Sequence, residues 1–243
     1  MQQSSTLNPL TKAHTSSKRL YLQIAQQLAH MINDNHLVEN ERLPAERDLA
    51  SKYDVSRQTV REALIALEVS GLVEIRPGSG VYVVKLTSVK SSLINEDAPG
   101  PLEILEARKL VEGDAAALAA MRISNDELLK LEIYLRQMET LVTDKKIAEA
   151  EIIDRKFHNL IAEASRNSAM VTMIDWLWEQ RNSSEISRVF AQKVRQLNSV
   201  PNIDAHNAIY QQLSRRDAQG SQRAMQSHLS EVADAFVLLM GES

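Results

Sequence analysis

At 243 residues, 44% hydrophobic and 25% charged, the chain has the length of two ordinary domains and a globular composition, which excludes a disordered or membrane-embedded class. The absence of cysteine excludes disulfides, thiolate zinc sites and thiol catalysis, so any metal must be held by histidines and carboxylates. The net charge of −4 divides into 10 Lys/Arg against 9 Asp/Glu over residues 1–85 and 18 against 23 thereafter; charge balance alone reveals no nucleic-acid partner, and locally placed arginines would have to do so.

Residues 1–17 are polar and lack the apolar stretch of a secretory signal, which predicts a flexible tail on a cytoplasmic protein with no membrane partner. Between Lys18 and Asn35 the residues Leu20, Ile24, Leu28, Met31 and Ile32 recur at helical spacing. Pro44 suits a first helical position, with Leu49 and Ala50 following on a short helix that ends near Tyr53. Ser56 can cap a third helix, whose inward stripe is Val60, Ala63, Leu64 and Leu67 and whose stop is Gly71. Val73 and Ile75, a turn containing Gly78 and Gly80, and Val81 to Val84 then predict a β-hairpin. Three helices and a hairpin over residues 18–85 make a winged helix-turn-helix.

In such a module the first turn of the second helix of the motif enters the major groove and needs donors to bases and phosphates. Ser56, Arg57, Gln58, Thr59 and Arg61 have that chemistry, and the inward stripe places Arg57, Gln58 and Arg61 on the outer side. An arginine pairs bidentately with guanine and a glutamine with adenine. Arg47 suits a phosphate anchor, and the hairpin tip from Arg76 through Gly78 to Gly80 suits a wing that approaches the backbone of double-stranded DNA. The competing reading is a solvated helix face whose arginines pair with Glu46 or Glu62.

Leu43 to Ala50, Val55 to Leu64 and Gly71 to Val73 together resemble the GntR family of bacterial regulators. The resemblance implies DNA contacts at Arg47, Arg57, Gln58, Thr59, Arg61 and Gly78. Gln58 departs from the Thr that many members carry, which bears on operator preference.

Residues 86–101 read as a polar linker closed by Ala98-Pro99-Gly100-Pro101, and residues 102–243 read as an all-α antiparallel bundle. Its helices are expected near 102–120, 124–143, 146–165, 168–196 with a break open within it, 202–215 and 218–240. The fold class is mainly α.

This half holds three histidines, His158, His206 and His228, each on a different predicted helix, with Asp154 one turn before His158. Converging in a bundle, they would offer three nitrogens and a carboxylate to zinc, nickel, manganese or iron. Isolated core or surface histidines are the alternative. The segments Asp154 to His158, Asp204 to Ile209 and Ala224 to Leu229 resemble the metal motifs of the FadR-type branch, whose helical domain is called FCD; the resemblance implies all four as ligands of a divalent transition metal, zinc foremost.

Arg108 lies on an inward stripe with Ile104, Val111 and Ala115, either paired with Glu112 at i+4 or binding an effector carboxylate. Arg181 presents the same case beside Ile174 and Trp178, and both Trp176 and Trp178 are expected to be packing residues. Gly100 to Arg108, Asn167 to Ala169 and Trp178 to Arg181 resemble, less specifically, repressors of hexuronate utilisation. The expectation is a homodimeric repressor on an inverted-repeat operator, released by a small carboxylate such as a hexuronate. Lactate, pyruvate or an aldonate are alternative effectors. The rival from another class is a metal-dependent enzyme acting on a sugar acid, for which no additional general base is evident.

Overall fold

The computed structural model describes residues 19–34, 37–76, 78–84, 98–181, 183–196 and 201–239. The expected tail, residues 1–17, and residues 86–97 of the expected linker lie outside the described residues. The chain opens with α1 (Leu20–Asp34), α2 (Glu46–Tyr53), α3 (Arg57–Val69) and the strands β1 (Val73–Arg76) and β2 (Gly80–Val83). α1 buries Tyr21, Leu22, Ile24, Ala25, Leu28 and Ile32, while Leu20, expected inside, is 50% exposed at the first turn.

α2 begins two residues after Pro44, with Ala45 at its N-cap, so Pro44 precedes the helix and does not open it. The cause is local. A residue before proline favours extended backbone, and Leu43 follows the antiparallel bridge of Arg42 with Tyr82, its own N–H donating to the Val81 carbonyl at 2.8 Å. Residues 41–43 thereby border β2 as a third, short edge of the hairpin. α3 starts as expected, the Ser56 hydroxyl accepting from the Thr59 N–H at 3.1 Å. It ends in a paired motif: Gly71 at φ +77° lets its own N–H reach Glu68 O and that of Leu72 reach Leu67 O.

The helical half contains α4 (Pro101–Arg122), α5 (Asn125–Thr143), α6 (Ile147–Ala164), α7 (Ser168–Gln180), α8 (Glu185–Gln196), α9 (Ile203–Ser214) and α10 (Ala218–Leu239). The expected 168–196 segment is divided between α7 and α8, because the Ser184 side chain accepts from the Ser187 N–H at 3.0 Å and starts a new helix. Pro101, placed at the end of the linker by its sequence, is the first residue of α4. Ala116, Ala119 and Ala120 let α4 run through the middle of the bundle, where they pack with Leu131, Met138, Phe157, Ile161, Ile209 and Met225.

The other large core belongs to neither half alone. Tyr21, Leu28, Leu64, Leu67 and Ile75 of the N-terminal module pack in one cluster with Leu102 and Leu105 of α4 and Ile186 and Phe190 of α8. Each such side chain, fully withdrawn from water, is worth about 1.5–3 kcal/mol, so the winged module is seated on the bundle by its own core. Among the described residues no helix is long and apolar enough to cross a membrane.

Candidate functional site

The predicted DNA-reading residues do not all face the same way. Arg47 projects into solvent, its side chain 73% exposed and 3.6 Å from Asp48. Arg57 is exposed at the first turn of α3, beside Ser56, whose hydroxyl lies 2.8 Å from that of Thr59. Arg61, expected on the outer side, is turned inward: its Nε donates to Glu46 at 2.8 Å, and the side chain is 13% exposed. Glu46, on α2, lies against α3 and attracts the guanidinium, which is the ion-pair alternative read from sequence. Gln58 is partly covered as well, its amide donating to Glu106 of α4 at 3.3 Å. At the wing, Arg76 lies 4.4 Å from the Tyr82 ring and bonds to Glu74 and Asn40, while Gly78, at φ +66°, is exposed, with open space where a Cβ would stand.

In the bundle, Asp154 and His158 come from α6, His206 from α9 and His228 from α10. One ligand atom from each of the four lies within 4.8 Å of the others, and all four residues are buried. His206 donates from Nδ1 to the Asn202 carbonyl at 2.7 Å, which aims its Nε2 at Asp154 Oδ1, also at 2.7 Å. His158 is held by its Nδ1, 2.6 Å from Glu112 Oε2, leaving Nε2 toward Asp154. These outer bonds fix ring orientation and tautomer, as around metal-ligating histidines generally. His158 Nε2 and His228 Nδ1 are buried yet make no hydrogen bond to protein. Buried polar nitrogens without partners are costly, and their presence in a cluster that also holds the Asp154 carboxylate fits a bound cation: this buried His/Asp cluster can hold a metal ion.

The charges agree. Burial raises the Glu112 carboxyl, but Arg108 and His158 outweigh it and hold it at about 2. Burial likewise opposes ionisation of Asp154, and the imidazoles of His158 and His206 keep it well below the usual carboxylate range. Burial lowers His158, yet Glu112 and Asp154 lift it to about 8, whereas burial and the neighbouring imidazoles drive His228 well down. Two ionised carboxylates in the interior make a site that demands positive charge.

Arg108 answers part of that demand, its Nε donating to Glu112 at 2.6 Å and its guanidinium stacking 4.0 Å from the Trp178 ring. Arg181 lies on the same ring at 5.3 Å, with a nitrogen 4.0 Å from Asp154. Trp178 is the buried packing residue that was expected, but Trp176 is 50% exposed. A cavity of about 430 Å³ opens beside the cluster; Asp154, His228, Arg108 and Arg181 are among its polar lining residues, and Ile104, Leu105, Phe190 and Val232 among its apolar ones.

Residues 20–83 match the family described as bacterial regulatory proteins, gntR family, and residues 103–231 match the FCD domain. The chain is 33% identical over 231 residues to the Uxu operon transcriptional regulator of Escherichia coli K12, covering 91% of this chain and 88% of that protein. It is 32% identical over 219 residues to the Exu regulon transcriptional regulator of the same organism, covering 88% and 83%. The chain belongs to the GntR family and carries an FCD domain. That family is one of regulators, not enzymes, which removes the metal-dependent enzyme from the readings.

Within this GntR-family chain, sequence reasoning missed Glu112 as the support of His158 and Asn202 as the support of His206. Glu112 was visible only as a partner for Arg108, since the i+4 spacing shows one helix and not the neighbouring one. Asn202 acts through its backbone carbonyl, which has no signature; its side chain also caps α9 at Ala205 N–H and donates to Glu231.

Proposed function

We propose that this chain is a homodimeric, cytoplasmic transcriptional repressor that binds an inverted-repeat operator and is released when a small carboxylate, a hexuronate or related sugar acid, enters the cavity beside the His/Asp cluster. The observation that carries this reading is the convergence of four buried ligand atoms within 4.8 Å at the wall of a cavity that Arg108 and Arg181 also reach. Three imidazoles and one carboxylate suit zinc, with nickel, manganese or iron as other occupants. When bound, the metal supplies a Lewis-acidic anchor for a carboxylate and an adjacent hydroxyl.

The chain's own residues do the rest. Asp154, His158, His206 and His228 hold the ion, Glu112 and Asn202 orient His158 and His206, and Arg181 neutralises an incoming carboxylate. Arg108, already tied to Glu112, holds that pair in place at the cavity edge. On the N-terminal module, Arg57 reads base edges, Arg47 and the wing residues Arg76 and Gly78 meet phosphates, and Ser56 with Thr59 set the first turn of α3. Gln58 and Arg61 join them only after giving up Glu106 and Glu46. Similarity to regulators named for the Uxu operon and Exu regulon agrees with the motif resemblance to hexuronate-utilisation repressors. The cavity of about 430 Å³ is also lined by Ile104, Leu105 and Phe190, more room than lactate or pyruvate would fill.

Release requires the acid to bind the two states of the protein with different affinity. The test begins with thermal shifts of zinc-loaded protein against galacturonate, glucuronate, gluconate, lactate and pyruvate. The stabilising acid is then titrated into the complex with a duplex selected from a random pool. A hexuronate is expected to raise the melting temperature and weaken duplex binding; unchanged duplex affinity at saturating acid would overturn the release model.

A further inference from the structure

At its start α4 draws on its own side chains only for the Glu103 carboxylate, which accepts from the Gly100 N–H at 3.0 Å. Its N-cap residue is Gly100, which has no side chain to satisfy the first N–H groups of the helix. Those donors are satisfied from the other half of the molecule: Glu62, on α3, accepts from the N–H of Leu102 and of Glu103, both at 2.9 Å to the same Oε1. Glu62 is 2% exposed, although it belongs to the helix that carries the DNA-reading residues. Gly100 is shaped to it. A Cβ on Gly100 would stand 2.3 Å from Glu62 Oε1 and 2.4 Å from its carboxyl carbon, nearer than any real contact.

We propose that Glu62 is an interdomain latch: by capping α4 in place of Gly100 it ties the DNA-reading helix to the helix end that walls the effector cavity, and so positions one relative to the other. Pro101, Ile104 and Leu105, which directly follow the cap, line that cavity. A shift of α4 therefore moves the acceptor and, with it, α3. The second wall behaves alike, since Lys193 of α8 pairs with Glu68 of α3 at 2.8 Å while Ser187, Phe190 and Ala191 of α8 line the cavity. Glu68 also accepts from the Ile75 N–H at 2.8 Å, so the tie reaches the wing. Burial pushes the Glu62 carboxyl up to about 8, against the pull of the two backbone donors; a neutral amide of the same shape would accept the same two bonds.

The latch rests on the proposed effector reading only for what moves it, and its existence is tested separately. The chain has no cysteine, so S51C on α2 and K130C on α5, both exposed positions, give a single pair of spin labels. Zinc-loaded full-length protein, diluted with unlabelled chain, is measured by pulsed electron–electron resonance. The parent and E62Q are expected to share one narrow separation, and E62A and G100A to lose it. G100A in the E62A background is expected to add nothing, because the space is already open. Far-ultraviolet circular dichroism of each variant confirms that both halves stay folded; should E62A unfold, G100A against E62Q carries the comparison. Retention of the narrow separation in G100A or E62A overturns the latch, as does its loss in E62Q. If galacturonate leaves both separation and duplex affinity of the parent unchanged, the effector reading falls while the latch stands.

Discussion

The proposed DNA-reading turn and the His/Asp cluster are both built from a few polar side chains, yet they are assembled in opposite ways. Residues 56–61 are contiguous, exposed at Ser56 and Arg57, and oriented by one capped helical turn. Asp154, His158, His206 and His228 come from three helices and are oriented by residues outside the set, Glu112 and Asn202. A surface turn can lose a residue and keep its frame; a buried cluster that loses one leaves a charge without its partner.

Variants should sharpen that contrast, beginning with the cluster. His206→Ala removes a ligand and the 2.7 Å partner of buried Asp154; it is expected to cost about 3–5 kcal/mol of stability, read as a lowered denaturation midpoint, and to abolish zinc binding by calorimetry. Glu112→Gln keeps the shape but removes the charge behind His158, and zinc affinity should fall about 10- to 100-fold. On the surface, Arg57→Ala should weaken binding to the selected duplex by about 1–3 kcal/mol with no change in zinc affinity. An equal loss of zinc affinity in Arg57→Ala would break the contrast. Ser56→Ala should cost about 1 kcal/mol in thermal unfolding, the ordinary value of an N-cap.

The smallest effect is on pH. The Glu62 carboxyl is raised from 4.5 to about 8 by burial, reinforced by Glu103 and Glu106 on α4 and opposed by the backbone donors of Glu103 and Leu102. The folded state holds this proton after the unfolded chain has released it, so its stabilisation is full below pH 4.5 and is lost as pH rises through 8. Between pH 7 and 8.5 only the tail of that loss remains. The melting temperature of the parent should fall relative to Glu62→Gln across this interval, and parallel curves would refute the assignment.

The winged module was legible from the sequence because its determinants are local: a cap at Ser56, a left-handed stop at Gly71, glycines in the hairpin turn. What escaped was tertiary. Arg61 looks outward on a helical wheel, but Glu46 on the neighbouring helix draws it in, and Gln58 looks free until α4 brings Glu106 against it. The gathering of Asp154, His158, His206 and His228 in one buried cluster is what the family motifs imply, while spacing alone establishes only that Asp154 and His158 share a face. Glu62 reads from the sequence only as a salt-bridge partner for arginines, since its true partners are backbone groups 40 and 41 residues away.

The apolar cluster common to both halves bears on modularity. Leu105 and Phe190 belong at once to the seat of the winged module and to the flank of the cavity. A chimera cut anywhere in the connecting segment would transplant the module without its seat, baring Leu64, Leu67 and Ile75. A working graft would have to carry Gly100, Leu102, Leu105, Ile186 and Phe190 along with residues 20–83, so that the unit of exchange is the module together with the ends of α4 and α8 on which it rests.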